Sequence, residues 1–523
     1  MKKFFGLVLS STLLPLCLST FLPFYLSTCL YAWQQDGVII STEVNSQNSP
    51  QIISDGSGGA IITWIDYCSD SSGDIYVQRV NSVGAVQWAS NGVPICAVAT
   101  NQNAPQLTGD GAGGAIITWC DYRSDSGNIY AQRVNSDGWV QWTSNGVGIC
   151  AATGSQYIPK TTSDGSGGAI ITWQDHRDGS IYSDIYAQKV NSAGAVQWTS
   201  DGVPICTAAN GQSSPKIISD GLGGAIIAWD DNRNGNWDIY AQKVNSAGVV
   251  QWAVNGTMIC VEAGNQEWSR IISGGIGETI IIWSDSRNDD GDIYAQKVNS
   301  DGVGQWAPNG IEICVAAREQ HTVEMTIDGL GGAIITWRDY RNGSNYDIYA
   351  QRVNSGGAIQ WMLNGEQICT AANDQHSPRI TSDGLGGAII TWQGYRGGKW
   401  DIYTQKVNPV GVVQWAFNGV GICTAINNQY SPEITNDGAG GAIITWEDNR
   451  NGNWDVYASR INSVSTYKTK VGNASGWRWG YALCPSDTVL SGCATYWQWL
   501  PWTPGSGRKV PQGDANGWVW GNE

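Results

Sequence analysis

The chain contains no run of lysine or arginine and no stretch with helical periodicity. Charged residues make up only 14% of its 523 positions, and the formal net charge is −16. An acidic, sparsely charged surface offers no attraction to nucleic acid or to an anionic membrane, so neither is expected as a partner. Histidine occurs three times. His321 and His376 hold the same phase of adjacent repeats, but no third ligand stands at a metal-binding spacing. No metal and no cofactor are therefore expected. No catalytic group stands out, and none is assigned.

What the chain has in abundance is repetition. Asp-Gly-x-Gly-Gly-Ala-Ile-Ile-Thr-Trp begins at Asp55, Asp110, Asp164, Asp220, Asp328, Asp383 and Asp437, with a degenerate copy at Gly274. The period is 54 to 56 residues, and a tandem repeat of that length means a solenoid, an array or a propeller. Within one copy, residues 49–54 form a short run and 55–59 supply turn residues. Residues 60–64 are continuously apolar and rich in β-branched side chains, and 74–80 alternate with period two. A turn at 81–84 leads through Asn91-Gly92 to residues 93–96. Four short strands with hairpin-length links predict one antiparallel sheet per repeat. Such a sheet has two apolar faces and two open edges, and radial packing buries both faces of each.

The ends of the chain select a ring over an open array. Residues 33–41 match only the fourth strand of the repeat, while the last copy stops after its third strand, 455–461. The predicted fold is all-β: an eight-bladed propeller over 33–463, with 33–46 completing the last blade. Residues 1–32 read as a secretory signal, Met1-Lys2-Lys3 before an apolar stretch, with cleavage expected after Ala32. An uncleaved membrane anchor and a lipidated cysteine at Cys29 are the rival readings. Residues 464–523 leave the repeat, hold seven tryptophans from Trp477 to Trp520, and form a separate small module. Export and small size make Cys484–Cys493 an expected disulfide.

Seven further cysteines, Cys96, Cys150, Cys206, Cys260, Cys314, Cys369 and Cys423, share one phase, with Ser41 in the same phase of the N-terminal strand. Equivalent strands of neighbouring blades lie too far apart for disulfides, so these are read as small buried hydrophobes. A Trp-x-Asp-x-Arg pattern followed by Asp-Ile-Tyr, for example Asp231, Arg233 and Asp238, recurs in most repeats. A set needed in nearly every blade is read as framework: aspartate and arginine pair with each other and with the aspartate opening the next strand. Cys68 replaces the arginine in the first repeat, and Gly394 the aspartate in the seventh.

Function is sought where the repeats differ. The loop between strands two and three and the link into each first strand should share one face. They carry Tyr122, Tyr157, Trp237, His321, Tyr346, His376, Trp400, Tyr430 and Trp454 as candidate ligand-binding residues. Three residues into each first strand, Lys160, Lys216, Arg270, Glu324, Arg379 and Glu433, with Gln51 and Gln106, should ring the channel mouth. Aromatic faces beside amide and carboxylate edges suit sugars, which offer C–H faces and hydroxyl edges.

Residues 220–227 together with 231–245 (Asp-Asn-Arg-Asn-Gly-Asn-Trp-Asp-Ile-Tyr-Ala-Gln-Lys-Val-Asn) resemble the tandem-repeat propellers of secreted bacterial surface proteins. The resemblance covers residues 33–463 and implies export and a cell-surface or secreted location, but no activity. The expected function is a non-catalytic binding or adhesion scaffold, monomeric, whose propeller face or tryptophan-rich tail engages glycan or protein. A structural surface protein and a propeller carbohydrate-active enzyme, a glycoside hydrolase or lyase, remain the alternatives. For the enzyme, Glu324 and Glu433 are the only inner-strand carboxylates.

Overall fold

Successive side chains of a strand point to opposite faces, and in the 60–64 run both faces are buried. Ile61 packs with Ala115, Ile117 and Trp119 of the following repeat, whereas Ile62 packs with Val38, Ile443 and Val456 on the other side. Each hydrophobic cluster thus lies between two neighbouring sheets. This is why the run is continuous where a one-faced strand would alternate. A fully buried isoleucine contributes about 2 kcal/mol, and the motif supplies two in nearly every repeat.

The computed structural model describes residues 33–68, 72–124, 126–288 and 291–463, together with five strands between residues 467 and 521. The result is an eight-bladed propeller of four-stranded antiparallel sheets, and every element among the described residues is a strand. Blade 1 comprises Gln47–Ser54, Ala60–Asp66, Asp74–Val80 and Val93–Cys96. Blades 2 to 7 repeat that order. Blade 8 holds Gln429–Asn436, Ala442–Asp448 and Asp455–Ile461, and its fourth strand is Val38–Ser41 from the other end of the propeller sequence. Val38 pairs with Ala458 and Ile39 with Tyr457, so the ring closes as the split repeat requires. Trp33 reinforces the seam. Its Nε1 donates to Ser82 O of blade 1 at 3.0 Å, as Trp88 does to Ser136 O of blade 2 at 3.1 Å.

The glycine turns close on themselves. Asp55 Oδ1 accepts the Ser57 and Gly59 amides at 2.8 Å, and Oδ2 accepts both Nε and Nη2 of Arg79. A Cβ on Gly59 would meet Val80 O at 2.2 Å, so this glycine is fixed by close approach. In blade 5, where Gly274 replaces the aspartate, Lys297 turns to Glu278 at 2.9 Å.

The second aspartate–arginine set binds one blade to the one before it. Asp231 accepts the Trp229 indole at 2.8 Å and both Nε and Nη2 of Arg233, with Arg233 stacked over Tyr240 at 3.9 Å. The same guanidinium donates to Cys206 Sγ of the preceding blade at 3.1 Å and to Asn255 O. The repeated cysteines are therefore free, buried thiols that face the neighbouring blade's ion pair. Burial pushes Cys206 and Cys260 up to about 12, and both stay protonated. In blade 4 the expected link from the arginine to the aspartate opening the third strand is not made. Asp238 is held instead by Asn234 and Asn236, because the arginine fork is already filled.

The exceptions to the repeat are compensated in space. Ser41 stands in for cysteine at the junction where Cys68 stands in for arginine, so both departures fall at the closing seam. In blade 7, which has Gly394, Gln375 Oε1 accepts Trp392 Nε1 at 3.0 Å and Arg396 Nη2 at 3.3 Å. Beyond the propeller, Tyr467–Val471, Arg478–Leu483 and Ala494–Tyr496 form a three-stranded sheet, and Val510–Asp514 pairs with Gly517–Gly521. The expected signal segment 1–32 and the expected Cys484–Cys493 disulfide lie outside the described residues.

Candidate ligand-binding face

Every first strand begins with a bulge. In blade 1 the register slips between Asn48 and Gln51, and Ser49 sits at φ 55°. The same left-handed residue recurs as Ala104, Ile158, Ser214, Trp268, Thr322, Ser377 and Ser431. None is glycine, so each carries backbone strain that its surroundings must hold. The bulge divides the strand's side chains into two sets. Residues just before it join the loops of the face. Those just after it point into the channel.

In four of the eight blades the side chain following the core tryptophan accepts the bulge amide of the next blade, a contact the sequence reading missed. Glu447 accepts the Ser49 amide at 2.7 Å, Gln393 the Ser431 amide at 3.0 Å, and Asp230 the Trp268 amide at 3.2 Å. This register reads Ile65, Cys120, Gln174, Asp230, Ser284, Arg338, Gln393 and Glu447. Eight blades with seven different residues, directly beside an invariant tryptophan, were the available signal.

The predicted aromatics fall into one continuous arc and several separate contacts. The arc runs over blades 6, 7 and 8. Tyr340 to Tyr346 is 4.8 Å between ring centroids, Tyr346 to His376 5.1 Å, and His376 to Trp400 5.3 Å. Trp400 continues to Tyr430 at 6.0 Å, and Tyr430 to Trp454 at 5.3 Å, with Tyr395 beside Trp400. All of these rings are half-buried, each with part of its surface open. Tyr346 and Trp454 come from loops between strands two and three, Trp400 from the start of the extended third strand Lys399–Val407, and His376 and Tyr430 from first strands, so both variable regions meet on one face.

Polar groups edge the arc at blade 6. Tyr346 donates its hydroxyl to Glu319 at 2.9 Å, and the Arg338 guanidinium lies 4.6 Å from the Tyr346 ring centre. Arg338 Nη1 also stands 3.0 Å from His376 Nδ1. Burial, with the Arg338 charge beside it, holds His376 below its usual range and therefore neutral.

The remaining candidates do not join the ring-to-ring arc, although His321 reaches its edge through Glu319. His321 packs edge-on against Trp268 at 5.1 Å, near Ser284 and Glu319. Tyr157 meets His176 at 5.3 Å. Tyr122, half-buried in blade 2, titrates above its usual range through burial and the neighbouring Cys120. Trp237 and Tyr182 flank Gly211. His321 and His376 make no direct contact and are joined only through Glu319 and Tyr346, and no cluster of three potential metal ligands occurs among the described residues.

The channel residues divide into two sectors. Arg270 Nη2 pairs with Glu324 at 2.9 Å, Arg379 Nη1 with Glu324 at 3.6 Å, and Arg379 Nε with Glu433 at 2.9 Å. Blades 5 to 8 thus carry a self-neutralised Arg–Glu–Arg–Glu chain whose side chains keep 17–29% exposure. Burial opposes ionisation of Glu324, yet Arg270 and Arg379 hold it below the usual range, whereas burial pushes Glu433 up. In blades 3 and 4, Lys160 donates to Gln106 Oε1 at 2.9 Å and Lys216 to Ser214 O at 3.0 Å.

Fold and face together define a tandem-repeat β-propeller closed by its N-terminal strand, with a variable aromatic face. No family model matches the chain, and no curated protein matches it. Among solved structures it is similar to the polysaccharide lyase Uly1, at 10% identity and TM-score 0.40, over 84% of this chain and 94% of that one. It is also similar to a eukaryotic initiation factor (8%, TM-score 0.41, 82% and 96%) and to a protein of unknown function from Dyadobacter fermentans (10%, TM-score 0.36, 82% and 97%). At these identities and scores the likenesses carry no argument about what this chain binds or does.

Proposed function

We propose that this propeller is an exported binding scaffold that engages glycan through the aromatic arc of blades 6 to 8. The arc itself carries the reading. Half-buried rings in unbroken sequence from Tyr340 to Trp454 offer a platform for the C–H faces of successive sugar units. Glu319 and Asp374 at its edge supply acceptors for hydroxyls. The N-terminal segment read as a secretory signal and the repeat's likeness to surface propellers support a location outside the cell.

The test is a polysaccharide binding screen on the full chain, with Trp400→Ala and Trp237→Ala beside it. Losing a stacking ring from the arc is expected to weaken binding about 10-fold, while the Trp237 variant stays within about twofold. Equal effects of both variants, or none, would sink the assignment to the arc.

A carbohydrate-active enzyme is the second reading, favoured by the opposite shifts of Glu324 and Glu433 around the shared Arg379. Two carboxyls pushed apart in this way suit an ionised and a protonated partner. Breakdown products in the same wells, abolished by Glu433→Gln, would move the assignment to this enzyme.

A further inference from the structure

The eight residues that ring the channel do not balance. Four cations, Lys160, Lys216, Arg270 and Arg379, face two carboxylates, Glu324 and Glu433, in a chain whose formal net charge is −16. Both carboxylates are engaged by the arginines on blades 5 and 7. The surplus falls on blades 3 and 4, where neither lysine makes an ion pair among the described residues. Each ammonium has three donors, and the structure gives each one protein acceptor: Gln106 Oε1 for Lys160 and Ser214 O for Lys216. Asp230 carries a charge that acts on Lys216 but makes no ion pair with it, and its oxygens already accept the Ser269 hydroxyl and the Trp268 amide. Burial raises its pKa, which weakens it as a counter-ion.

Two ammonium groups on adjacent inner strands, with spare donors and no counter-ion of their own, form a cradle for an oxyanion. Burial and the Arg270 charge depress Lys160 to about 8, and burial, Arg270 and Lys160 depress Lys216 to about 7. A bound anion would relieve that repulsion. The aromatic arc occupies the same face of the ring, and its proposed ligand is a sugar.

We infer that the channel mouth at blades 3 and 4 is a binding site for an oxyanion, the carboxylate of an acidic sugar, held by Lys160 and Lys216. The inference rests on the glycan reading only for the source of the carboxylate. The lysine cradle itself does not depend on it.

The experiment is calorimetric titration of the full chain with sodium glucuronate, glucose and sodium sulfate, at ionic strength fixed with chloride. Wild type is expected to take glucuronate about 10-fold more tightly than glucose, and the Lys160→Gln/Lys216→Gln variant to lose that preference. Removing two mutually repelling charges should leave the fold intact, which its thermal transition checks. Trp400→Ala should keep the preference, so failure of the arc and failure of the cradle are separable. Sulfate competing as well as glucuronate would make the site one for free inorganic anions, overturning the acidic-sugar assignment. No preference for glucuronate in wild type, or the same preference in the double variant, would overturn the site altogether.

Discussion

The two mouths of the channel are made by the same repeat and obey opposite rules. At one, Asp-Gly turns close on their own amides and on a basic residue of the same blade, as Asp55 does with Arg79 and Asp437 with Arg460. At the other, the residues before the bulge, after the bulge and after the core tryptophan differ from blade to blade. The contrast has a physical cause. The contacts of the glycine turns and of the aspartate–arginine sets recur in nearly every blade and are met by nearly the same residues each time. Side chains that face the open end of the channel have no such repeated partner, and they are free to form an aromatic arc on one side and a lysine pair on the other.

Breaking the repeated framework should cost most. Asp231→Ala leaves Arg233 and the Trp229 indole without their buried acceptor, and denaturant unfolding should show a loss of about 3 kcal/mol. A loss under about 1 kcal/mol would mean that the arginine's contacts to Cys206 and Asn255 suffice alone.

The seam tests whether closure equals an ordinary blade junction. Trp33→Ala and Trp88→Ala each remove a half-buried indole and its bond to the next blade, and should each cost about 2 kcal/mol. Unequal losses would show that the strand contributed by the N-terminal segment is held differently from a covalently continuous one.

The smallest effect sharpens the comparison within the variable face. Asp184 lacks the asparagine partners of Asp238, and burial, then Asp178, raises it from 3.8 to about 6. A carboxyl whose pKa is raised by folding favours the fold when protonated, and that contribution is lost as pH rises through 6. Asp184→Asn, the residue that blade 2 carries as Asn128, should therefore stabilise by up to about 1 kcal/mol at pH 7. Thermal melts should show the gain vanishing below pH 4. A gain that does not depend on pH would place its origin elsewhere.

Much of this was readable from spacing. The split repeat foretold closure by residues 33–41, because a missing strand at one end and a spare at the other fit only a ring. The shared phase of the cysteines foretold buried thiols. The bulges were not readable, since Ser49, Ile158 and Trp268 have nothing in common as residue types, and their left-handed backbone comes from the packing of eight inner strands around an axis. Nor was the arginine's additional contact to the cysteine of the preceding blade, which lies at a distance along the chain that no strand pattern reports.

The sequence by itself determined the strands, their grouping into eight sheets and the closure of the ring, because these follow from periodicity and from apolar runs that must be buried. Only the tertiary structure decided which of the variable residues meet. It joined Tyr346, His376, Trp400, Tyr430 and Trp454 into one surface, left Trp237 and Tyr122 outside it, and paired Glu324 and Glu433 with arginines while leaving Lys160 and Lys216 without carboxylates. Those outcomes depend on rotation around the channel axis, which places residues some fifty positions apart side by side and which no local pattern encodes.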